Sequence, residues 1–337
     1  MILDFTIINK VDGLSIYAEK ILNRIYCLFN KNNLFLFHKN FYDKNICQYT
    51  NHSFINNMIF HRLQTGIFDK TKYYSPTHHG PIFNKNKILT VHDITPLLLK
   101  NKSFKQYFYY KYFLKYSIQN TKKIITVSNF TKNKLIETYQ LEYKRDDIVV
   151  IHNATDIDEI QEEFVDNLPS KYLFIPGVHS EYKNYKRIIQ AILDLNDPNL
   201  NLLITSNSEE VKQYCKKYPF VTVLSELTYG QIKYLYLHSI ALIYPSLIEG
   251  FGFPALEAAR LKIPIITTKN SSMEEFLKIN AAVYIDPYSI QETKEAIKKI
   301  LYDDNSKMIY TAYNNTLHLT WDVNAEQVIK IIRNTFE

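Results

Sequence analysis

The chain predicts an α/β protein of two doubly wound, parallel-sheet domains facing a cleft. Three observations carry that expectation. Short apolar runs of strand length alternate with amphipathic runs of helix length along the whole sequence. The opening residues alternate poorly between apolar and polar, as a strand buried on both faces does. A polar, acidic stretch at 153–170 interrupts the pattern midway, and 337 residues suffice for two domains.

Taken in order, 2–8, 34–38, 88–91, 124–127 and 148–151 read as strands of the first half. Segments 15–29 and 132–139 carry helical periodicity between them. In the second half, 172–175, 200–205, 221–224, 240–244, 263–267 and 282–285 read as strands, and 185–195, 229–238, 254–261 and 290–302 as helices. The stretch 153–170 holds no strong strand and is the linker, so 1–157 and 158–320 are the expected domains. Open sheets of this kind bind ligands outside the carboxyl ends of their strands.

Composition narrows the classes. The chain is 46% hydrophobic and 22% charged, an ordinary globular balance. Its three cysteines, Cys27, Cys47 and Cys215, are scattered and odd in number, with no zinc-type spacing. Reduced thiols fit a cytoplasmic protein. No basic start with a long apolar stretch marks a signal peptide, and no run of about 18 apolar residues spans a membrane. The net charge of +6 is unevenly spread. Residues 1–157 hold 22 Lys and Arg against 11 Asp and Glu, whereas 158–337 hold 18 against 23. A basic first half implies an anionic surface or substrate there.

The most informative run is Tyr244-Pro-Ser-Leu-Ile-Glu-Gly-Phe-Gly-Phe-Pro-Ala-Leu-Glu257. It reads as the end of a strand, a glycine loop and the start of a helix, with Glu249 at the loop and Glu257 inside the helix. Free N–H groups at a helix start bind phosphate, and Gly250 and Gly252 let a ligand approach the backbone. An ionised carboxylate accepts hydrogen bonds from two sugar hydroxyls. The ligand these features imply carries both phosphate and sugar, as a nucleotide-sugar does. A second run, Pro176 to Asn184, leaves a strand with a glycine turn and brings Lys183, a point charge, to a helix start. In the first half His92-Asp93 closes a strand, and on the residues alone such a dipeptide is more often structural than catalytic.

These segments resemble the donor-site motifs of retaining glycosyltransferases of family 4, the group 1 glycosyltransferases with the GT-B fold that serve bacterial polysaccharide synthesis. The family's pattern appears as Pro245-Ser246, Glu249-Gly250-Phe251-Gly252, Pro254 and Glu257. His92-Asp93 with Pro96 resembles the family's His-Asp-x-x-Pro segment, whose histidine lies beside the transferred sugar. Residues 125–132 resemble its Val-Ser-x-Phe-Ser/Thr-Lys segment, and 151–156 the strand end leading to the linker. Two departures stand out. Tyr182 replaces the arginine usual before the lysine, and Val178 the arginine often found after the glycine. The loop 11–17 keeps only Gly13 of two or three glycines, with Asp12 and Ser15 replacing others.

The resemblance implies a metal-independent hexosyltransferase with no cofactor, the nucleotide-sugar being a substrate. Catalytic residues would be His92 and Glu249. Gly13, Lys183, Gly250, Phe251, Gly252 and Glu257 would bind the donor. It also implies a C-terminal helix, 321–337, packing back toward the first domain. The acceptor would be a glycan or a polyprenyl-diphosphate-linked sugar, in the making of an O-antigen, other lipopolysaccharide or capsule, and the donor leans to GDP-mannose. Asp156-Ile157-Asp158 spells a metal motif of a different glycosyltransferase fold, but it lies at the linker with no strand before it and reads as coincidence. Residues 100–123 interleave seven lysines with aromatics. That pattern suits either an anionic membrane surface, at the inner face of the membrane, or packing on the chain's own sheet. No nucleic-acid motif accompanies it. Two other functions stay open: a non-catalytic GT-B partner protein and a nucleotide-sugar epimerase.

Overall fold

A computed structural model describes residues 2–5, 13–25, 35–37, 71–99 and 104–337. The chain divides into two compact units, Met1–Asn153 with Thr320–Glu337, and Ala154–Leu319. Residues 154–157, expected with the first half, go with the second. There Thr155 donates its N–H to the Leu319 carbonyl, and Asp158 pairs with Arg260. The expected residues Val11, Asp12, Cys27 and Cys47, with the ends of the segments at 2–8 and 15–29, lie outside the described residues.

The first unit is built on six parallel strands: β1 (Ile2–Asp4), β2 (Phe35–Phe37), β3 (Tyr73–Ser75), β4 (Lys87–Val91), β5 (Lys123–Thr126) and β6 (Ile148–Val150). Their order is β2-β1-β3-β4-β5-β6. The strand Tyr73–Ser75 is not signalled by the sequence pattern, because three residues ending in a serine are too short to show a period. All three are buried. The closing helix, Trp321–Phe336, belongs to this unit. Asp322 pairs with Arg24, and the Trp321 ring meets Tyr17 edge-on at 5.9 Å. Asn324 donates to the His152 carbonyl at 2.6 Å.

The second unit holds β7 (Tyr172–Ile175), β8 (Asn201–Thr205), β9 (Val221–Leu224), β10 (Ala241–Tyr244), β11 (Ile265–Thr268) and β12 (Val283–Ile285). All pairs are parallel, in the order β12-β11-β10-β7-β8-β9. The strands β7, β8, β10 and β11 are buried throughout except at Asn201, which is why they read as apolar runs. The helix Tyr185–Leu195 packs on them through Tyr185, Ile188, Ile189 and Ile192, one face of a 3.6-residue period. Both units are doubly wound α/β sheets, as the sequence implies.

Strand order positions the site. In the second sheet, β7 and β10 are neighbours, yet the chain leaves β7 toward β8 on one side and β10 toward β11 on the other. Loops leaving the carboxyl ends of such a pair diverge and open a crevice. The two informative runs, 176–184 and 245–252, are those loops.

The helix Tyr229–Leu237 starts in a full capping box. Thr228 accepts from the Gln231 N–H at 3.1 Å, and the Gln231 side chain takes the Thr228 N–H at 3.0 Å. Thr228 also donates to Glu163 at 2.7 Å. Thr228→Ala is expected to cost about 1 kcal/mol, measurable as a lower urea midpoint at unchanged slope.

Candidate active site

The glycine loop is shaped by its neighbours. Gly252 has φ +98°, and a Cβ there would lie 2.5 Å from Met273 Cγ, so no other residue fits without moving that side chain. It caps the helix Phe253–Arg260, with Pro254 in the first turn. Ser272, fully buried, donates to the carbonyls of Glu249 at 3.1 Å and Phe251 at 2.9 Å. The Phe251 ring is buried and stacked on Phe276 at 4.7 Å. Phe251 therefore anchors the loop, and what it offers a ligand is backbone. The result is a rigid turn at the start of that helix.

The loop after β7 reaches the same place. Gly177, at φ +66°, donates its N–H to Thr205 Oγ1 at 2.8 Å, which ties the turn to the end of β8. A short 3₁₀ turn, Glu181–Lys183, follows. Asn184, in the left-handed region, donates to the carbonyls of Pro245 at 3.1 Å and Pro287 at 2.5 Å. Lys183 Nζ then donates to Glu249 Oε1 at 2.7 Å and to the Tyr244 hydroxyl. The Tyr244 hydroxyl donates to the same Oε1 at 2.8 Å. The side chains of Lys183 and Glu249 are 8% and 13% exposed. All the anchoring falls on one carboxylate oxygen. Glu249 Oε2 takes no hydrogen bond among the described residues, and the third proton of the Lys183 ammonium has no acceptor there.

Tyr182, in the usual arginine position, donates to His179 Nε2 at 2.7 Å. His179 Nδ1 contacts the Gly177 carbonyl at 3.0 Å, which requires the proton on Nδ1 and leaves Nε2 as acceptor. The tyrosine thus braces the glycine turn and adds no charge.

Glu257 sits in a different setting. It is buried, with the Tyr229 hydroxyl on Oε1 and the Tyr236 hydroxyl on Oε2 at 2.8 Å. Burial pushes its carboxyl above the usual carboxylate range, the two tyrosine hydroxyls pull it down, and the Asp156 charge pushes it up. Asp158, the other acid of the Asp-x-Asp run, pairs with Arg260, and its carbonyl accepts from Lys233 at 2.9 Å. Its role is structural. Among the described residues no cluster of three or more His, Cys, Asp or Glu could hold a metal.

In the first unit, His92 is buried at the end of β4. Its Nε2 donates to the Pro76 carbonyl at 2.9 Å, and its ring meets Tyr17 edge-on at 4.6 Å. Asp93 accepts from the Thr95 N–H at 2.9 Å and so starts the helix Thr95–Leu98. Gly13 is exposed at the first position of the helix Gly13–Ile25.

Of the sequence-predicted residues, the structure brings Lys183, Glu249 and the Gly250–Gly252 loop together. Glu257 shares their helix start but none of their hydrogen bonds. Sequence reasoning missed Tyr244, Ser272, Tyr229 and Tyr236. The last two are seven residues apart on one helix, a spacing that puts both on one face and was open to reading.

Residues 156–316 match the family of glycosyl transferases group 1, and residues 74–159 match glycosyltransferase family 4. The chain belongs to the group 1 glycosyltransferases. One relative is the O-antigen chain mannosyltransferase RfbU of Salmonella typhimurium, 31% identical over 241 residues, or 69% of this chain and 66% of that one. Another is O-antigen chain mannosyltransferase B of Escherichia coli, 25% identical over 71% of this chain and 68% of that one. The matches therefore span about two thirds of each relative's length. Anabaena Alr3699/HepE, solved with UDP and glucose, superposes with a TM-score of 0.73 over 99% of both chains at 14% identity, a likeness of fold. This group 1 glycosyltransferase carries the motif acids on the family's strand–loop–helix, Glu249 held by Lys183 and Tyr244 and Glu257 by two tyrosines.

Lys183→Met leaves Glu249 buried without its cation. The expected cost is about 3 kcal/mol in urea unfolding, most of it recovered in Lys183→Met/Glu249→Leu. A single-variant loss below roughly 1 kcal/mol, the surface-pair range, would show that the pair is not closed in solution.

Proposed function

We propose that the protein is a retaining glycosyltransferase that moves a hexose from a nucleotide-sugar to a glycan or polyprenyl-diphosphate-linked acceptor in surface polysaccharide synthesis. The observation that carries this reading is the Lys183–Glu249 pair at the crevice between β7 and β10, with one carboxylate oxygen and one ammonium proton unspent. Two mannosyltransferase relatives make mannose the first sugar to try and GDP-mannose the first donor.

In this reading the diphosphate lies on the amides at the start of the helix Phe253–Arg260 and takes the third proton of Lys183. Glu249 Oε2 accepts from a hydroxyl of the sugar ring, and Glu257 from the ribose hydroxyls. His92 and Gly13, in the first unit, are the further residues this reading assigns to the sugar and the donor. As the glycosidic bond breaks, negative charge grows on the departing diphosphate, and the fixed amides and Lys183 stabilise that charge more than they stabilise the bound donor. The acceptor hydroxyl attacks from the face the diphosphate leaves and passes its proton to the leaving phosphate oxygen. No protein base and no metal ion take part.

Thermal shift against UDP, GDP, TDP, CMP and their common sugars tests the donor site. Ligand at 100 times Kd adds about 2.7 kcal/mol to native stability, a shift of several degrees in Tm. One nucleoside diphosphate is expected to give it, and Glu257→Ala to abolish it. If none does, the non-catalytic partner function takes the place of transfer. Conversion of the donor sugar without any acceptor would favour an epimerase.

The first unit's basic excess supports an anionic membrane surface as a second partner. The helical segment 104–119 turns Phe104, Phe108, Tyr112, Phe113 and Tyr116 outward, Phe104 79% exposed, with Lys105 and Lys111 exposed among them. Among the described residues no helix is long and apolar enough to cross a membrane. Vesicles containing phosphatidylglycerol are expected to sediment the protein at low salt, and phosphatidylcholine vesicles to leave it behind. Lys105→Gln/Lys111→Gln should weaken the first result; equal binding to both vesicles would remove the electrostatic partner.

A further inference from the structure

The helix Tyr229–Leu237 carries no motif residue, yet it supplies both protein partners of Glu257. Tyr229 and Tyr236 are two turns apart, so their side chains share a face. The helix is fixed at its start by the Thr228 cap and by segment 161–163. The Glu163 N–H bonds the Gly230 carbonyl at 3.1 Å, and a Cβ on Gly230 would lie 2.7 Å from the Gln161 carbonyl. Tyr236 is fully buried, its ring edge-on to Phe174 of β7 at 4.9 Å. Tyr236 is thereby held against the carboxylate, and Tyr229, half-buried, reaches it from the first turn of the same helix.

The arrangement divides the carboxylate evenly. Each oxygen accepts one tyrosine hydroxyl. A carboxylate oxygen has two lone-pair directions, so one acceptor site remains on each oxygen, at a fixed separation. Two neighbouring hydroxyls, as on a ribose ring, match that pair. The groups facing Glu257 are Tyr229, Tyr236 and Asp156, and no cation pairs with it among the described residues. The hydroxyls are therefore what holds a negative charge in this buried place.

We propose that Tyr229 and Tyr236 are positioning residues that orient Glu257 and keep it ionised, so that it presents two acceptors to the vicinal hydroxyls of a ribonucleotide. The inference rests on the donor-site reading above. The direction of its pH effect follows from the geometry. Burial favours the protonated acid, and each donated hydroxyl favours the anion. Removing a hydroxyl moves the titration of Glu257 to higher pH, so nucleotide binding is lost at milder acidity.

Two measurements on the full chain test this. The first follows the carboxyl carbons of ¹³C-glutamate-labelled protein by NMR from pH 4 to 9, with Glu257→Gln used to assign the Glu257 signal. Tyr229→Phe and Tyr236→Phe should each move its midpoint upward. An unmoved midpoint in both overturns the proposal, whether or not any nucleotide binds. The second is calorimetric titration with GDP and with UDP over pH 5–8. Each Phe variant, with native circular dichroism, is expected to bind on the order of tenfold more weakly at pH 7, and its loss of binding in acid should begin at higher pH. Tighter binding in the variants would mean that the tyrosines compete with ribose, which also overturns it. A wild-type chain whose Glu257 midpoint responds to the tyrosines, yet which binds neither nucleotide, would sink the donor-site reading alone and leave a clamped carboxylate without that ligand.

Discussion

The ion pair of Lys183 with Glu249 is the interaction on which the candidate site of the second unit depends. It joins two loops that are 66 residues apart in sequence, and it can form only because β7 and β10 are neighbours in the sheet. Tyr244, the last residue of β10, sits under both partners and bonds to each. Asn184 adds a second tie between the same loops through the Pro245 carbonyl. With these contacts in place, the glycine turn has one conformation available, set by Gly252 against Met273 and by Ser272 under two carbonyls.

Burying a carboxylate costs free energy unless something replaces its water, and this site replaces it in two ways. Glu249 receives a cation and one hydroxyl, all on a single oxygen. Glu257 receives two hydroxyls, one on each oxygen, and no cation. The difference follows from position. The helix start beside Glu249 faces the loop that carries Lys183, whereas Glu257 lies one further turn along, against the helix Tyr229–Leu237. One acid is left with a single open oxygen, and the other with two half-open ones. In the proposed donor reading, a sugar hydroxyl and a vicinal diol are the respective matches.

Much of this was legible in the sequence. The strand at 172–175 and the helices Tyr185–Leu195 and Ile290–Tyr302 have the bounds their patterns give, because continuous burial of a strand and one-sided burial of a helix leave plain patterns; the half-buried strand at 221–224 also has its expected bounds. The strand Tyr73–Ser75 did not show, and neither did the helices Glu209–Cys215, Ser272–Leu277 and Ser306–Thr316. The first two of those helices have six or seven residues, too few for a period, and Ser306–Thr316 buries only Ala312 and Thr316. The motif acids were readable as candidates because glycines and carboxylates at that spacing are chemically specific. Their partners were not, since a tyrosine at a strand end or on a helix face looks like core until the fold brings its hydroxyl to an acid. That three of the four side chains donating to the motif acids, Tyr244, Tyr229 and Tyr236, are tyrosines is a property of tertiary structure alone.

The departures from the family pattern then acquire a physical meaning. A second cation beside Lys183 would give the site a net positive charge before the donor arrives. Here Tyr182 and Val178 stand in those places, and Tyr182 spends its hydroxyl on His179. Lys183 is already balanced by Glu249, so the empty crevice around the pair is close to neutral. In the donor reading proposed above, a diphosphate there would meet one residual ammonium proton and no second side-chain cation from these two positions. Backbone dipoles do little for a charge that water can still reach and much for one that is enclosed. In the proposed transfer such an arrangement would favour the charge that develops as the sugar departs over the charge present at binding, which is the direction catalysis requires.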